Sequence, residues 1–129
     1  METSRAGSIG GRVLSGLAIA FLTMDGVMKF VDIPAVAEAS AQLGWPMSAN
    51  HAIGVVLLTC VALYAVAPTA VLGAILLTGY LGGAVAIHVR VGNPLPTHVL
   101  FPIYVGLFVW GGLFFRDPRV RTLVPIRTT

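Results

Sequence analysis

The sequence predicts an all-α membrane protein, a single domain of residues 1–129 in which four transmembrane helices form a bundle. Hydrophobic side chains make up 57% of the 129 residues and charged ones only 10%. The mean hydropathy is +0.90, so too little polar surface is left to cover a water-soluble fold. The apolar residues also fall into four stretches of roughly 17 to 20 residues, the length that a helix needs to cross a bilayer.

The four predicted spans are residues 12–31, 51–67, 70–89 and 99–115, bounded by charged residues and by glycine and proline. Helices are required because backbone amides find no water partner in lipid, and the alternation of a membrane barrel strand is absent. Only Pro68 and Thr69 separate the second span from the third. This short connection predicts an antiparallel hairpin.

The distribution of basic residues predicts the orientation, because Lys and Arg concentrate on the cytoplasmic side of short loops. Only Lys29 and Arg90 lie at the opposite ends of the spans from the other basic residues, which are Arg5, Arg12, Arg116, Arg119, Arg121 and Arg127. An even number of spans also places both termini on one side, and we predict that both are cytoplasmic. A cleaved secretory signal is the alternative for the first stretch, but its apolar character continues past Asp25 and is too long for one.

The connection of residues 32–50 predicts a short helix at the membrane surface. Pro34 suits a first helical position, residues 35–43 favour helix and Gly44 is a stop signal. Trp45 would then lie among the lipid headgroups, and Asn50 is suited to cap the following span. An ordered loop is the alternative. The basic and apolar tail, residues 117–129, is expected to lie along the inner membrane surface.

Glycines in the third and fourth spans predict close helix packing. Gly79 and Gly83 have the Gly-x-x-x-Gly spacing that lets two helix backbones approach each other. The predicted packing positions are Gly79, Gly82, Gly83, Gly111 and Gly112. The pattern leaves open whether they pack within the bundle or against another copy or another membrane protein.

An acidic and a basic residue lie inside the first span, where a charge costs about 2.5 to 3.5 kcal/mol and needs a partner or a purpose. Asp25 and Lys29 are four residues apart, the spacing of an ion pair on one helix face. Ser15, Ala18 and Leu22 continue that face. We therefore predict that it faces the bundle interior.

The predicted topology brings ionisable residues from all four spans to one end of the bundle. The candidate site residues are Asp25, Lys29, His51, His88, Arg90 and His98. Such a cluster could bind the polar head of a quinone or another lipid-like molecule whose body lies among the helices. In the alternative, Asp25 and Lys29 only neutralise each other, Arg90 extends to the headgroups and the histidines mark the interface. Helix phase predicts that His88 and Arg90 do not both point inward.

Other cofactors and partners find little support in the sequence. Haem held between His51 and His88 is geometrically possible, but no further haem signature is present. Cys60 is the only cysteine, which excludes an internal disulfide and a thiolate cluster, and no metal site is predicted. The basic residues lie at span ends and form no stripe for nucleic acid.

The third span, VLGAILLTGYLGGAVAIHVRVG at residues 71–92, resembles the DoxX-like family of bacterial membrane proteins. The resemblance extends to residues 26–29 and to the fourth span with residues 115–121 and 125–127. The resemblance implies a four-helix bundle in the bacterial inner membrane. Lys29 and the segment 88–92 match the family's motifs, but these motifs have no agreed role. Ile87 departs from the small polar residue common in relatives. The family's name derives from a subunit of a thiosulfate–quinone oxidoreductase.

Three classes of function remain open at this point. The leading hypothesis is an accessory subunit or small-molecule-binding bundle linked to quinone redox chemistry, and the second is a structural or assembly partner without a ligand. A lipid-modifying enzyme such as an isomerase would use Asp25 and His88 as its acid and base. We do not expect an enzyme that acts on its own, and a transporter is not indicated because no internal repeat or broken helix pair is visible.

Overall fold

A computed structural model describes the chain over residues 5–31 and 33–123. No strand occurs in these two ranges. The helices are α1 (Arg5–Met28), α2 (Pro34–Leu43), α3 (Met47–Ala65), α4 (Ala70–Arg90), α5 (Phe101–Arg116) and α6 (Pro118–Leu123). A 3₁₀ turn at Ala67–Thr69 joins α3 to α4, and a π-helical turn at Leu95–Val99 precedes α5.

Four helical stretches are long and apolar enough to cross a membrane, which confirms the predicted fold class. They are Gly7–Met28, Ser48–Ala65, Ala67–Arg90 and Leu95–Arg116. All four begin before the predicted residues 12, 51, 70 and 99, because the helices extend into flanking residues that the apolar runs do not mark. In the most apolar 18-residue segment of each stretch, between 22% and 33% of the residues are buried. Most of the side chains therefore face outward, toward lipid.

The four spanning helices form a ring in which α1 packs on α3 and α5, and α4 packs on the same two helices. The chain reverses direction at each step. We call the end where α1 and α4 finish the histidine end, since it carries His51, His88 and His98, and the opposite end, with Arg116, the arginine end. The cytoplasmic position of the arginine end stays a prediction, and Arg127, which contributes to it, lies outside the described residues.

Helices α1 and α5 cross with their backbones in close contact. A β-carbon on Gly112 would lie 2.8 Å from the backbone nitrogen of Ser15 and 3.0 Å from the carbonyl oxygen of Gly11. A β-carbon on Gly11 would lie 2.7 Å from the carbonyl oxygen of Gly112. Backbone therefore meets backbone at this crossing, as small residues allow in membrane helices.

A buried chain of hydrogen bonds runs beside this crossing and joins α1, α3 and α5. Arg116 donates through Nε to Ser15 Oγ at 3.1 Å, Ser15 Oγ lies 2.8 Å from Tyr64 Oη, and Tyr64 Oη donates to the Val109 carbonyl at 2.7 Å. The guanidinium of Arg116 also lies 5.6 Å from the centre of the Tyr64 ring. Each polar atom in this apolar interior thus has a partner, which avoids the cost of a buried unpaired group.

The interior face predicted for α1 is confirmed, since Ser15, Ala18 and Leu22 are all at most 4% exposed. Leu22 packs in the bundle core with Leu57, Leu77 and other buried side chains. Asp25 lies about one turn further along α1, and Lys29 follows directly after its last residue, Met28.

The predicted helix in the connection is confirmed as α2. Pro34 occupies its first turn, and Gly44 ends it in the left-handed conformation at φ 79°, which glycine adopts without steric cost. Asn50 does not cap the second span as expected, because α3 begins earlier and includes it. Its buried side-chain amide instead donates to Ser40 Oγ and ties α2 to α3. The surface position of α2 stays a prediction.

Helix α6 begins just after the last span and starts at a capping aspartate. Asp117 Oδ1 accepts the backbone N–H of Arg119 at 3.0 Å, and Asp117 Oδ2 pairs with Arg119 Nη2 at 3.2 Å. These hydrogen bonds favour the charged carboxylate and lower the pKa of Asp117. The remainder of the predicted surface tail, residues 124–129, lies outside the described residues.

Candidate functional site

A cavity of about 570 Å³ lies at the histidine end, and we call it the polar cavity. This volume falls within the usual range of small-molecule sites. Its polar lining is Asp25, Lys29, Trp45, Tyr80, His88 and Arg90. Its apolar lining includes Phe21, Leu22, Ile53, Leu81, Phe101 and Val105. Four of the six predicted site residues therefore border one cavity.

The Asp25–Lys29 pair that the spacing predicted is confirmed. Lys29 Nζ lies 3.8 Å from Asp25 Oδ1, and the two side chains are 24% and 37% exposed. This separation is that of an ion pair without a hydrogen bond. Both groups thus retain hydrogen-bonding capacity at the cavity wall.

His88 is positioned by the way in which α4 ends. Gly92 adopts a left-handed conformation at φ 74°, and the turn brings the Asn93 backbone N–H to the His88 carbonyl at 3.1 Å. The Asn93 side-chain amide lies 2.6 Å from His88 Nδ1. An amide nitrogen can only donate, so Nδ1 accepts and the neutral ring carries its proton on Nε2. His88 can therefore offer a hydrogen-bond donor to a ligand.

His98 contacts His88 but does not line the polar cavity. The two rings meet edge to face with their centroids 5.7 Å apart. His98 Nδ1 lies 2.8 Å from Thr97 Oγ1, within the π-helical turn that precedes α5. Such turns are frequent at functional sites, and this one holds His98 as a support for His88.

His51 lies outside the cavity lining. Its ring stacks on Phe30 at 5.7 Å with an interplanar angle of 11°, whereas the ring that meets His88 belongs to His98. His51 and His88 thus each contact a different ring. Across residues 5–31 and 33–123, no group of three His, Cys, Asp or Glu side chains could hold a metal ion.

His88 and Arg90 both line the polar cavity, and the difference in helix phase between them stays a prediction that they do not both point directly inward. Near the turn that joins α3 to α4, a β-carbon on Gly73 would collide with the Tyr64 backbone, whereas one on Gly79 or Gly83 would meet nothing within 4 Å. The open space beside Gly79 and Gly83 belongs to the polar cavity, which both glycines line.

The glycines predicted to pack fall into two groups. Gly112 lies in the α1/α5 crossing. Gly111 lies beside it, where an added β-carbon would be 3.5 Å from the Leu14 side chain. Gly79, Gly82 and Gly83 have open space within this chain. Gly79 and Gly83 line the polar cavity and Gly82 does not. For these three, packing against another copy or partner stays a prediction.

Sequence reasoning missed Tyr80 and Asn93 in the site and Tyr64 in the buried hydrogen-bond chain. The position of Asn93 could have been predicted, because a residue directly after a glycine at a helix C-terminus often hydrogen-bonds the last turn of that helix. The positions of Tyr80 and Tyr64 could not, since a tyrosine within an apolar run is typical of ordinary packing.

The sequence model of the DoxX-like family matches residues 13–112 of the chain. The matched range contains every residue that lines the polar cavity. A search of curated proteins and a search of solved structures found no match.

Proposed function

We propose that this chain, which belongs to the DoxX-like family, binds the head of a quinone or a related lipid-soluble molecule in the polar cavity. In this role it serves membrane redox chemistry as an accessory subunit. One observation carries the proposal: charged and hydrogen-bonding groups gather at one end of a cavity whose other walls are apolar. That division suits an amphiphile whose head lies near the membrane surface.

The cavity side chains match the chemistry of a quinone head. Quinone carbonyl oxygens accept hydrogen bonds, and Lys29, Arg90 and the Nε2–H of His88 are donors at the cavity wall. Asp25 could accept a hydrogen bond from the hydroxyl of the reduced form. The ring of Trp45 offers an apolar face for the head. Electron transfer itself would be the task of the partner enzyme.

The test is mass spectrometry of lipid-soluble molecules that co-purify with the protein in mild detergent. We expect a quinone or other small lipid to be enriched with the wild type and to fall at least tenfold in a His88→Ala, Lys29→Ala double variant, because the head loses two donors worth about 1 kcal/mol or more each. The matched control is His51→Ala, which removes a histidine of the same end outside the cavity lining. Identical bulk lipids in all three preparations would refute ligand binding.

An assembly role is the second candidate, and it is favoured by the open space beside Gly82. This exposed glycine does not line the polar cavity, so a partner helix could approach it closely. If the chain has an assembly role, Gly82→Leu should abolish its complex with a second copy or another membrane protein, as seen by native electrophoresis. The variant should keep the co-purifying ligand. An unchanged complex would argue against docking at this face.

A further inference from the structure

A second cavity of about 290 Å³ lies between α1 and α5, and we call it the apolar groove. Its walls include Leu17, Ala18 and Phe21 of α1 and Phe101, Tyr104 and Phe108 of α5. The lining has no charged side chain. The hydroxyl of Tyr104 donates to the Pro96 carbonyl at 3.4 Å, and the groove suits hydrocarbon better than a polar head.

The apolar groove adjoins the polar cavity. Phe21, Phe101 and Val105 line both. The rings of Phe21 and Phe101 meet edge to face with centroids 5.0 Å apart. This aromatic pair therefore forms the boundary between a polar compartment and an apolar one, and a molecule that occupies both must cross it.

The groove also lies deeper along the helices than the polar groups do. Leu17 precedes Asp25 by about two turns of α1, which at 1.5 Å per residue corresponds to about 12 Å. Tyr104 and Phe108 follow Phe101 toward the middle of the span Leu95–Arg116. The arrangement thus runs from a polar end near the membrane surface to an apolar end in the hydrocarbon core.

The outer rim of the groove is accessible from the bilayer. Leu17 is 54% exposed and Phe108 is 40% exposed. A tail can therefore enter sideways from lipid, without passing through the bundle interior.

We propose that the ligand of the polar cavity carries a linear hydrocarbon or isoprenoid tail, and that the tail lies in the apolar groove after passing the Phe21–Phe101 pair. This inference rests on the proposed function, because it takes the head to be bound by the polar cavity. It adds the chemical class of the ligand, an amphiphile with one extended apolar chain, and the route that this chain takes.

The test uses a benzoquinone with a decyl tail that carries a diazirine on its terminal carbon. The full chain is placed in phosphatidylcholine nanodiscs, irradiated and mapped by peptide mass spectrometry. We expect crosslinks at residues 17–21 and 104–108, reduced at least tenfold by excess unlabelled decyl quinone. Leu17→Trp should fill the groove and remove the crosslinks at residues 104–108. The matched control Val13→Trp, one turn away on the same exposed face, should retain them.

The possible failures are distinguishable. Competed crosslinks on α3 or α4 would overturn the tail route and leave quinone binding intact. Groove crosslinks that excess quinone does not reduce would mean that bulk lipid fills the groove, which also overturns the inference. The absence of any competed crosslink would refute the proposed function and this inference with it.

Discussion

Replacing Gly112 with alanine should lower the free energy of unfolding by about 1–3 kcal/mol, the usual cost of overpacking. The added methyl group would lie 2.8 Å from the Ser15 backbone nitrogen and 3.0 Å from the Gly11 carbonyl oxygen. Backbone atoms cannot rotate away, so α1 and α5 must separate. Separation would also stretch the hydrogen bonds that Ser15 makes with Tyr64 and Arg116.

The same substitution at the neighbouring position is the matched control for this prediction. Gly111→Ala places its methyl group 3.5 Å from the Leu14 side chain, an ordinary contact, and alanine is the better helix former. Its stability should be unchanged or slightly higher. Unfolding in micelles titrated with dodecyl sulfate, followed by circular dichroism, measures both variants. Equal stability of the two would contradict the tight α1/α5 crossing.

Replacing Gly83 with leucine should weaken binding of a decyl quinone at least tenfold. Gly83 lines the polar cavity, and a side chain there meets no protein atom within 4 Å at its β-carbon. Leucine would therefore occupy ligand space without disturbing the fold. Gly82→Leu, with the same open surroundings but outside the cavity lining, should bind the quinone as the wild type does.

Quenching of tryptophan fluorescence by the quinone in nanodiscs measures this effect. Trp45 lines the cavity, whereas Trp110 donates through Nε1 to Thr78 Oγ1 at 2.7 Å and lies outside it. Saturable quenching should consequently disappear in Trp45→Phe. Quenching that is equal in the Gly83→Leu and Gly82→Leu variants would show that the quinone binds elsewhere.

The sequence predicted those features whose geometry is fixed within one helix. Four-residue spacing placed Asp25 beside Lys29, and apolar length located the four spans. The sequence did not predict the contacts between helices, because the periodicity of apolar residues shows which face of a helix is buried but not which residue of another helix that face contacts. Ser15 bonds a tyrosine 49 positions away and an arginine 101 positions away, and no local pattern encodes either pairing.

The spacing of glycines also failed to predict which helix surfaces are in contact. Gly79 and Gly83 have the spacing typical of close helix contact, yet both face open space in this chain. Gly11, four residues before Ser15, lies in the close α1/α5 crossing but was not among the predicted packing positions. A small residue permits close approach, and only the placement of the neighbouring helices decides whether it occurs.

The buried hydrogen-bond chain has a consequence for how such a sequence can change over time. It lies toward the arginine end with the tight α1/α5 crossing, while the polar cavity occupies the histidine end. Substitutions around the cavity can therefore change its shape and polarity without removing the contacts that hold α1, α3 and α5 together. Spatial separation of this kind lets the lining of the cavity vary while the folding requirements of the bundle stay constant.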